Sequence, residues 1–93
     1  MTEKALQGAV EQCARLLGYR VYHTYDSRRS EPGYPDLCMV RSGRLIYAEL
    51  KAARGRVRPE QHAWLADLAA AGAETYLWRP EHWLDGTIER TLR

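Results

Sequence analysis

Gly33-Tyr34-Pro35-Asp36-Leu37-Cys38-Met39-Val40-Arg41-Ser42-Gly43-Arg44-Leu45-Ile46-Tyr47-Ala48-Glu49-Leu50-Lys51 reads as a hairpin, and that hairpin decides the fold. Ser42-Gly43 is a two-residue loop between apolar, β-prone runs, so Arg41 pairs with Arg44 and each earlier residue pairs with one later residue. Counting back through Val40/Leu45, Met39/Ile46, Cys38/Tyr47 and Leu37/Ala48 places Asp36 opposite Glu49. Strand side chains alternate between faces, so Glu49 and Lys51 point to one side while Ile46, Ala48 and Leu50 point to the other, apolar side.

Directly opposed side chains sit roughly 4.5–5.5 Å apart at Cβ, and like charges in that position destabilise a sheet. Positive charge is therefore expected beside Asp36 and Glu49. Lys51 supplies part of it, and it is one of only two lysines among fourteen basic residues. An Asp/Glu pair with a neighbouring Lys suits a hard, oxygen-seeking cation such as Mg²⁺ or Mn²⁺ that holds and polarises a phosphate. Taken singly, Asp36 after a proline reads as a turn residue, and Glu49 with Lys51 as the salt bridge of an exposed edge strand. The hairpin register joins the three into one constellation.

That constellation resembles the PD-(D/E)XK nuclease superfamily, with Pro35-Asp36 as the first half of the motif and Glu49-Leu50-Lys51 as the second. Gly33-Tyr34-Pro35-Asp36-Leu37, the Glu-Leu-Lys strand, the Gly55-Arg56-Val57 turn and Pro59-Glu60-Gln61 together look like the virus-type replication-repair nuclease (VRR-NUC) domain, over about Glu3 to Trp78. The resemblance implies a restriction-endonuclease-like α/β core with a mixed sheet. It also implies a helix acid, for which Glu3 matches the E-x-x-I-Q pattern through Glu3-x-x-Leu6-Gln7, whereas Glu11 faces away from the apolar stripe. Gln61 takes the family's glutamine position, where its amide would orient water or phosphate. Arg58 departs from the serine or threonine often found there, which removes a side-chain N-cap. A plain first-turn acid is the alternative for Glu3, and a solvated polar residue the alternative for Gln61.

Ninety-three residues make one domain, 1–93, with a modest core that dimerisation would help. With a charged N-terminus and no apolar run of ~20 residues, nothing resembles a signal peptide or a spanning helix, and a cytoplasmic protein with no membrane partner is expected. By the resemblance, its setting is a bacterial or phage-infected cell. Cys13 and Cys38 read as reduced core thiols, and His23, His62 and His82 lack metal-ligand spacing.

The element order reads α-β-β-β-α-β with a short helical tail. Ala5, Leu6, Ala9, Val10, Cys13, Leu16 and Leu17 recur at helical spacing from Glu3 to Leu17, with Thr2 as N-cap and Gly18 as terminator. Tyr19 to Tyr25 is the first strand. Pro59 opens a second helix running to Gly72, Ala73 to Trp78 forms the last strand, and Trp83, Leu84 and Ile88 predict an amphipathic tail over the core.

A net charge of +2 and a pI near 8.7 do not by themselves argue for nucleic acid. Distribution says more: Arg41, Arg44, Lys51, Arg54, Arg56 and Arg58 stand against Glu49 alone between positions 41 and 58, and Arg28 and Arg29 form a second cluster. Phosphate contacts are expected of Arg28, Arg29, Arg54, Arg56 and Arg58. The expected chemistry is hydrolysis of DNA phosphodiesters, with Mg²⁺ or Mn²⁺ on Asp36, Glu49 and the Leu50 carbonyl, Glu3 joining directly or through water, and Lys51 acting on the attacking water or a non-bridging oxygen. No reader module is visible, so backbone shape is the expected signal; by resemblance the substrate is branched DNA, Holliday junctions or flaps, cut by a homodimer. The competing readings are a nuclease subunit whose specificity resides in a replication or repair partner, and an inactive DNA-binding module.

Overall fold

In the computed structural model, which describes residues 1–25 and 29–93, eight elements follow the order α1 (Glu3–Leu16), β1 (Arg20–His23), β2 (Leu37–Arg41), β3 (Arg44–Leu50), α2 (Pro59–Ala70), β4 (Glu74–Trp78), α3 (Pro80–Leu84) and α4 (Thr87–Leu92). The strands form one sheet in the order β1-β2-β3-β4. The first three are antiparallel, and β4 runs parallel to β3 after the α2 crossover, so the sheet is mixed. No described helix is long and apolar enough to cross a membrane.

The β2–β3 register follows the count from the turn: Leu37 opposes Ala48, Met39 opposes Ile46 and Arg41 opposes Arg44. Ser42 at φ 45° and Gly43 at φ 84° both occupy the left-handed region, as the right-handed twist of a two-residue hairpin requires. One face of the sheet carries Leu37, Met39, Ile46, Ala48, Leu50 and Trp78, buried against Leu6, Val10 and Ala14 of α1 and Ile88 and Leu92 of α4. The opposite face carries Cys38, Tyr47 and the site. There α2 lays Trp64 edge-on to Tyr34 at 5.1 Å, and Tyr34 meets Tyr47 at 6.1 Å.

Several boundaries are shorter than the sequence predicts. The first helix ends at Leu16, and Leu16 itself is 80% exposed, because the buried stripe is Leu6, Val10 and Ala14 at intervals of four. The first strand loses Tyr19, which turns into the core and donates its hydroxyl to the Leu92 carbonyl (2.9 Å), and also loses Thr24 and Tyr25. Helix α2 stops at Ala70, with Gly72 at φ 103° making the turn. The tail is two helices broken at Gly86 (φ 83°): Ile88 is buried, but Leu84 points to solvent instead of covering the core. Thr2 caps α1 as expected, its Oγ1 accepting from the Ala5 N–H at 3.0 Å.

Candidate active site

Extending the β2–β3 register one step beyond Leu37/Ala48 sets Asp36 against Glu49 at the end of the sheet remote from the hairpin turn. Asp36 is held from both flanks. Its carbonyl accepts the Thr24 N–H at 3.0 Å, and its Oδ2 accepts the Leu50 N–H at 2.8 Å, so the side chain replaces a backbone rung where β2 ends. Thr24 Oγ1 also donates to the Pro35 carbonyl (3.0 Å). Just upstream, Gly33 at φ 89° lies so close to α2 that a Cβ would sit 2.5 Å from the Glu60 carbonyl carbon and oxygen. Only glycine combines that conformation with that approach, and the approach presses the Pro35-Asp36 segment against the start of α2.

Glu49 is 3% exposed on β3. Its Oε2 accepts Gln61 Nε2 at 3.0 Å and faces Lys51 Nζ at 3.9 Å. The Gln61 Oε1 in turn accepts the Arg58 N–H at 2.8 Å, so the glutamine amide closes the N-terminus of α2 in place of the missing Ser or Thr cap while it holds the acid. Gln61 is therefore buried with both ends of its amide engaged, and the solvated alternative does not hold. Burial pushes the Glu49 carboxyl well above the ordinary carboxylate range, and the adjoining Asp36 carboxyl pushes it further, while the Lys51 ammonium opposes the rise.

That electrostatic imbalance is the strongest test of fit for a cation. Two apposed carboxylates, one buried, are short of positive charge even with Lys51 beside them, and a divalent ion supplies it. Within one strand residue the N–H and C=O point the same way, so the Leu50 carbonyl faces the side on which its N–H meets Asp36. Asp36 and Glu49 line a polar cavity of about 140 Å³ together with Thr24, Tyr34, Arg58 and Gln61, and the Leu50 carbonyl, on the Asp36 side of β3, offers a third hard oxygen beside them. Three protein oxygens leave coordination positions for water and phosphate, as Mg²⁺ prefers.

Glu3 is placed differently. It is exposed in the first turn of α1, and its charge makes the smallest contribution among those raising Glu49. Among the described residues no three His, Cys, Asp or Glu side chains gather to hold an ion, so a direct Glu3 ligand is not part of the arrangement. Glu11 accepts from Gln7 and Arg15 along the helix surface instead.

The arginines divide. Arg54, Arg56 and Arg58 are exposed on the segment between Lys51 and α2, and Arg58 lines the acidic cavity with Glu60 at 3.8 Å. Arg29 is exposed, and Arg28 lies outside the described residues. Arg41 and Arg44, counted in the same basic run, have other work at the hairpin end. Arg41 donates to the Leu17 carbonyl and stacks 4.5 Å over Tyr19, and Arg44 forks onto Glu74 at 2.7 and 2.8 Å, holding that carboxyl down at about 2.

Around the acids, the Thr24 anchor and the close approach of Gly33 to α2 are not foreseen from the sequence. A glycine preceding Tyr-Pro-Asp was the available signal for the second; nothing in Thr24 announces the first.

The sequence profile of the VRR-NUC domain matches residues 2–80. No curated protein matches the chain. Among solved structures, one described as a VRR_NUC domain protein superposes with a TM-score of 0.73 at 19% identity, covering 98% of this chain and 85% of the other. Hjc, a Holliday junction resolvase from the archaeal hyperthermophile Archaeoglobus fulgidus, superposes with a TM-score of 0.55 at 19% identity, over 84% of this chain and 65% of that one. At 19% identity both likenesses are likenesses of fold.

Proposed function

The chain belongs to the VRR-NUC domain family and is a nuclease of that fold, and from that premise we propose that it is a metal-dependent endonuclease acting on branched DNA, with Asp36, Glu49 and Lys51 as its catalytic core. The observation that carries this reading is the apposition of Asp36 and buried Glu49 with Lys51 Nζ 3.9 Å from the Glu49 carboxylate. Two carboxylates in that position are costly to the fold on their own and useful to a reaction that needs a cation at a phosphate.

Asp36, Glu49 and the Leu50 carbonyl would hold Mg²⁺ or Mn²⁺. When bound, the ion supplies charge neutralisation at the scissile phosphate and greater acidity of the attacking water. The chain's own groups do the rest. Lys51 offers a point charge that donates hydrogen bonds to the attacking water or a non-bridging phosphate oxygen. Gln61 holds Glu49 against α2, leaving the side chain little freedom to turn from the ion. The Leu50 N–H does the same for Asp36. Glu3, exposed near the site, acts through water. Arg54, Arg56 and Arg58, exposed between Lys51 and α2, bind phosphates along the strand, and Arg28 and Arg29 are assigned the same role from their place in the sequence.

Branched DNA is favoured because the fold is shared with a protein described as a Holliday junction resolvase. A second copy of this chain would bring a second site to the opposed strand. The surface suited to it is the groove of about 440 Å³ between α1 and the tail, where Leu16, Leu17, Cys13 and Trp83 present apolar area. The test is incubation of the purified protein with labelled four-way junction, flap, duplex and single-stranded DNA in Mg²⁺, Mn²⁺ or EDTA. Metal-dependent cleavage of the branched substrates is expected. Cleavage undiminished in EDTA contradicts the proposal, and cleavage of unbranched DNA alone removes the branched-substrate part of it.

A further inference from the structure

Resting on that nuclease reading, we infer that Arg79 is a positioning residue for Lys51, acting through the loop that follows the catalytic strand. The parallel β3–β4 register pairs Leu50 with Trp78, and the Lys51 N–H donates to the Trp78 carbonyl at 3.0 Å. One step further along both strands, Arg79 stands beside Lys51, and by alternation the two cations share a face of the sheet. The Arg79 backbone is pinned there, because its N–H donates to His82 Nδ1 (2.9 Å) at the start of α3.

From that position one guanidinium nitrogen of Arg79 donates to the carbonyls of Ala52 and Gly55, both at 2.8 Å, with the Ala53 carbonyl at 3.5 Å. The loop 52–55 is wrapped around this group and closed by the Gly55 N–H on the Ala52 carbonyl at 3.0 Å. Gly55 is also where the loop meets the lysine: a Cβ at that position would lie 3.4 Å from Lys51 Cδ. Arg79 thus holds the loop, and the loop walls the stem of Lys51. Among the described residues Arg79 pairs with no carboxylate, so its charge is not cancelled locally and adds to the positive field on the face where phosphate binds. Arg54 and Arg56 flank Gly55, so the same clamp sets the direction in which they leave the fold.

Arg79→Ala, Arg79→Lys and wild type are compared in two measurements. The first does not depend on activity. With only Lys4 and Lys51 in the chain, ¹³C-lysine labelling gives two side-chain signal sets, and Arg79→Ala should shift those of Lys51 and leave those of Lys4 in place. The second is single-turnover cleavage of a labelled four-way junction over a Mn²⁺ titration. Arg79→Ala should lower the saturated rate on the order of tenfold to a hundredfold, the range expected for a misplaced catalytic group. The half-saturating Mn²⁺ concentration should change far less than the rate, and if anything fall as a nearby positive charge is lost, because Asp36 and Glu49 are untouched. Arg79→Lys, with its donors on a shorter stem, should fall between, and millimolar methylguanidinium should restore part of the rate to Arg79→Ala but none to Lys51→Ala. Unmoved Lys51 signals, or a wild-type rate in Arg79→Ala, overturn the inference. A wild type that cuts no DNA in Mn²⁺ while the Lys51 signals still respond overturns the nuclease reading and leaves the positioning contact standing.

Discussion

Gln61 Nε2 lies 3.0 Å from Glu49 Oε2 while the Oε1 of the same amide accepts the Arg58 N–H at 2.8 Å. One side chain therefore couples the start of α2 to the buried acid of the site. Gln61→Ala breaks both contacts and leaves a buried carboxylate short of a donor, at a cost of about 1–3 kcal/mol. Thermal unfolding should show that loss, and calorimetric titration with Mn²⁺ should show weakened binding. Unaltered Mn²⁺ affinity would separate Gln61 from the site.

The raised Glu49 carboxyl makes the metal-free protein sensitive to pH. Its folded-state value, about 8, lies above the ordinary 4.5, so the folded state binds the proton more tightly than the unfolded chain. Its contribution to stability is fully present below about pH 4.5 and is lost as the pH rises towards 8. Melting temperature in EDTA should fall across that window, Glu49→Gln should remove the fall, and saturating Mg²⁺ should flatten it. A melting temperature that rises through the same window in EDTA contradicts the assignment.

Gly33 and Gly43 provide a matched pair. Both have positive φ, but a Cβ at Gly43 meets nothing within 4 Å, whereas one at Gly33 strikes the Glu60 backbone at 2.5 Å. Gly43→Ala should cost about 1–2 kcal/mol, the left-handed conformation alone. Gly33→Ala should cost more and also impair cleavage, since α2 must retreat from the segment that carries Asp36. Equal losses in denaturant titrations of the two variants would mean the close approach is not maintained in solution.

Replacing Arg54, Arg56 and Arg58 together with Ala should weaken binding to DNA of every sequence alike and make its salt dependence shallower, because fewer counterions are released. Binding isotherms across a salt series in EDTA measure both. An unchanged slope returns these residues to ordinary solvated surface.

Much of this arrangement was legible because hairpin geometry is local. Ser42-Gly43 sets the register, and the register alone sets Asp36 against Glu49 and turns Lys51 to the same face. The contacts that complete the site depend on packing between distant segments. Gln61 is picked out in the sequence by the family's glutamine position, but that its amide holds Glu49 and closes α2 depends on Gly33 letting the preceding loop close on α2, which buries it. Arg79 follows the last predicted strand with no signal of its own, and its clamp exists only because β4 lies parallel to β3, a pairing fixed by the crossover and not by any local pattern. Leu16 and Leu84 erred in the opposite direction, apolar residues near a buried stripe that the helices leave in solvent.

The most direct measurement is metal-dependent cleavage of a labelled four-way junction by wild type, Asp36→Ala, Glu49→Ala and Lys51→Ala, with binding to the same DNA followed in EDTA. The wild type should cut in Mg²⁺ or Mn²⁺ and not in EDTA, and all three variants should lose cleavage while retaining DNA affinity. Full activity in Asp36→Ala or Glu49→Ala would contradict the account.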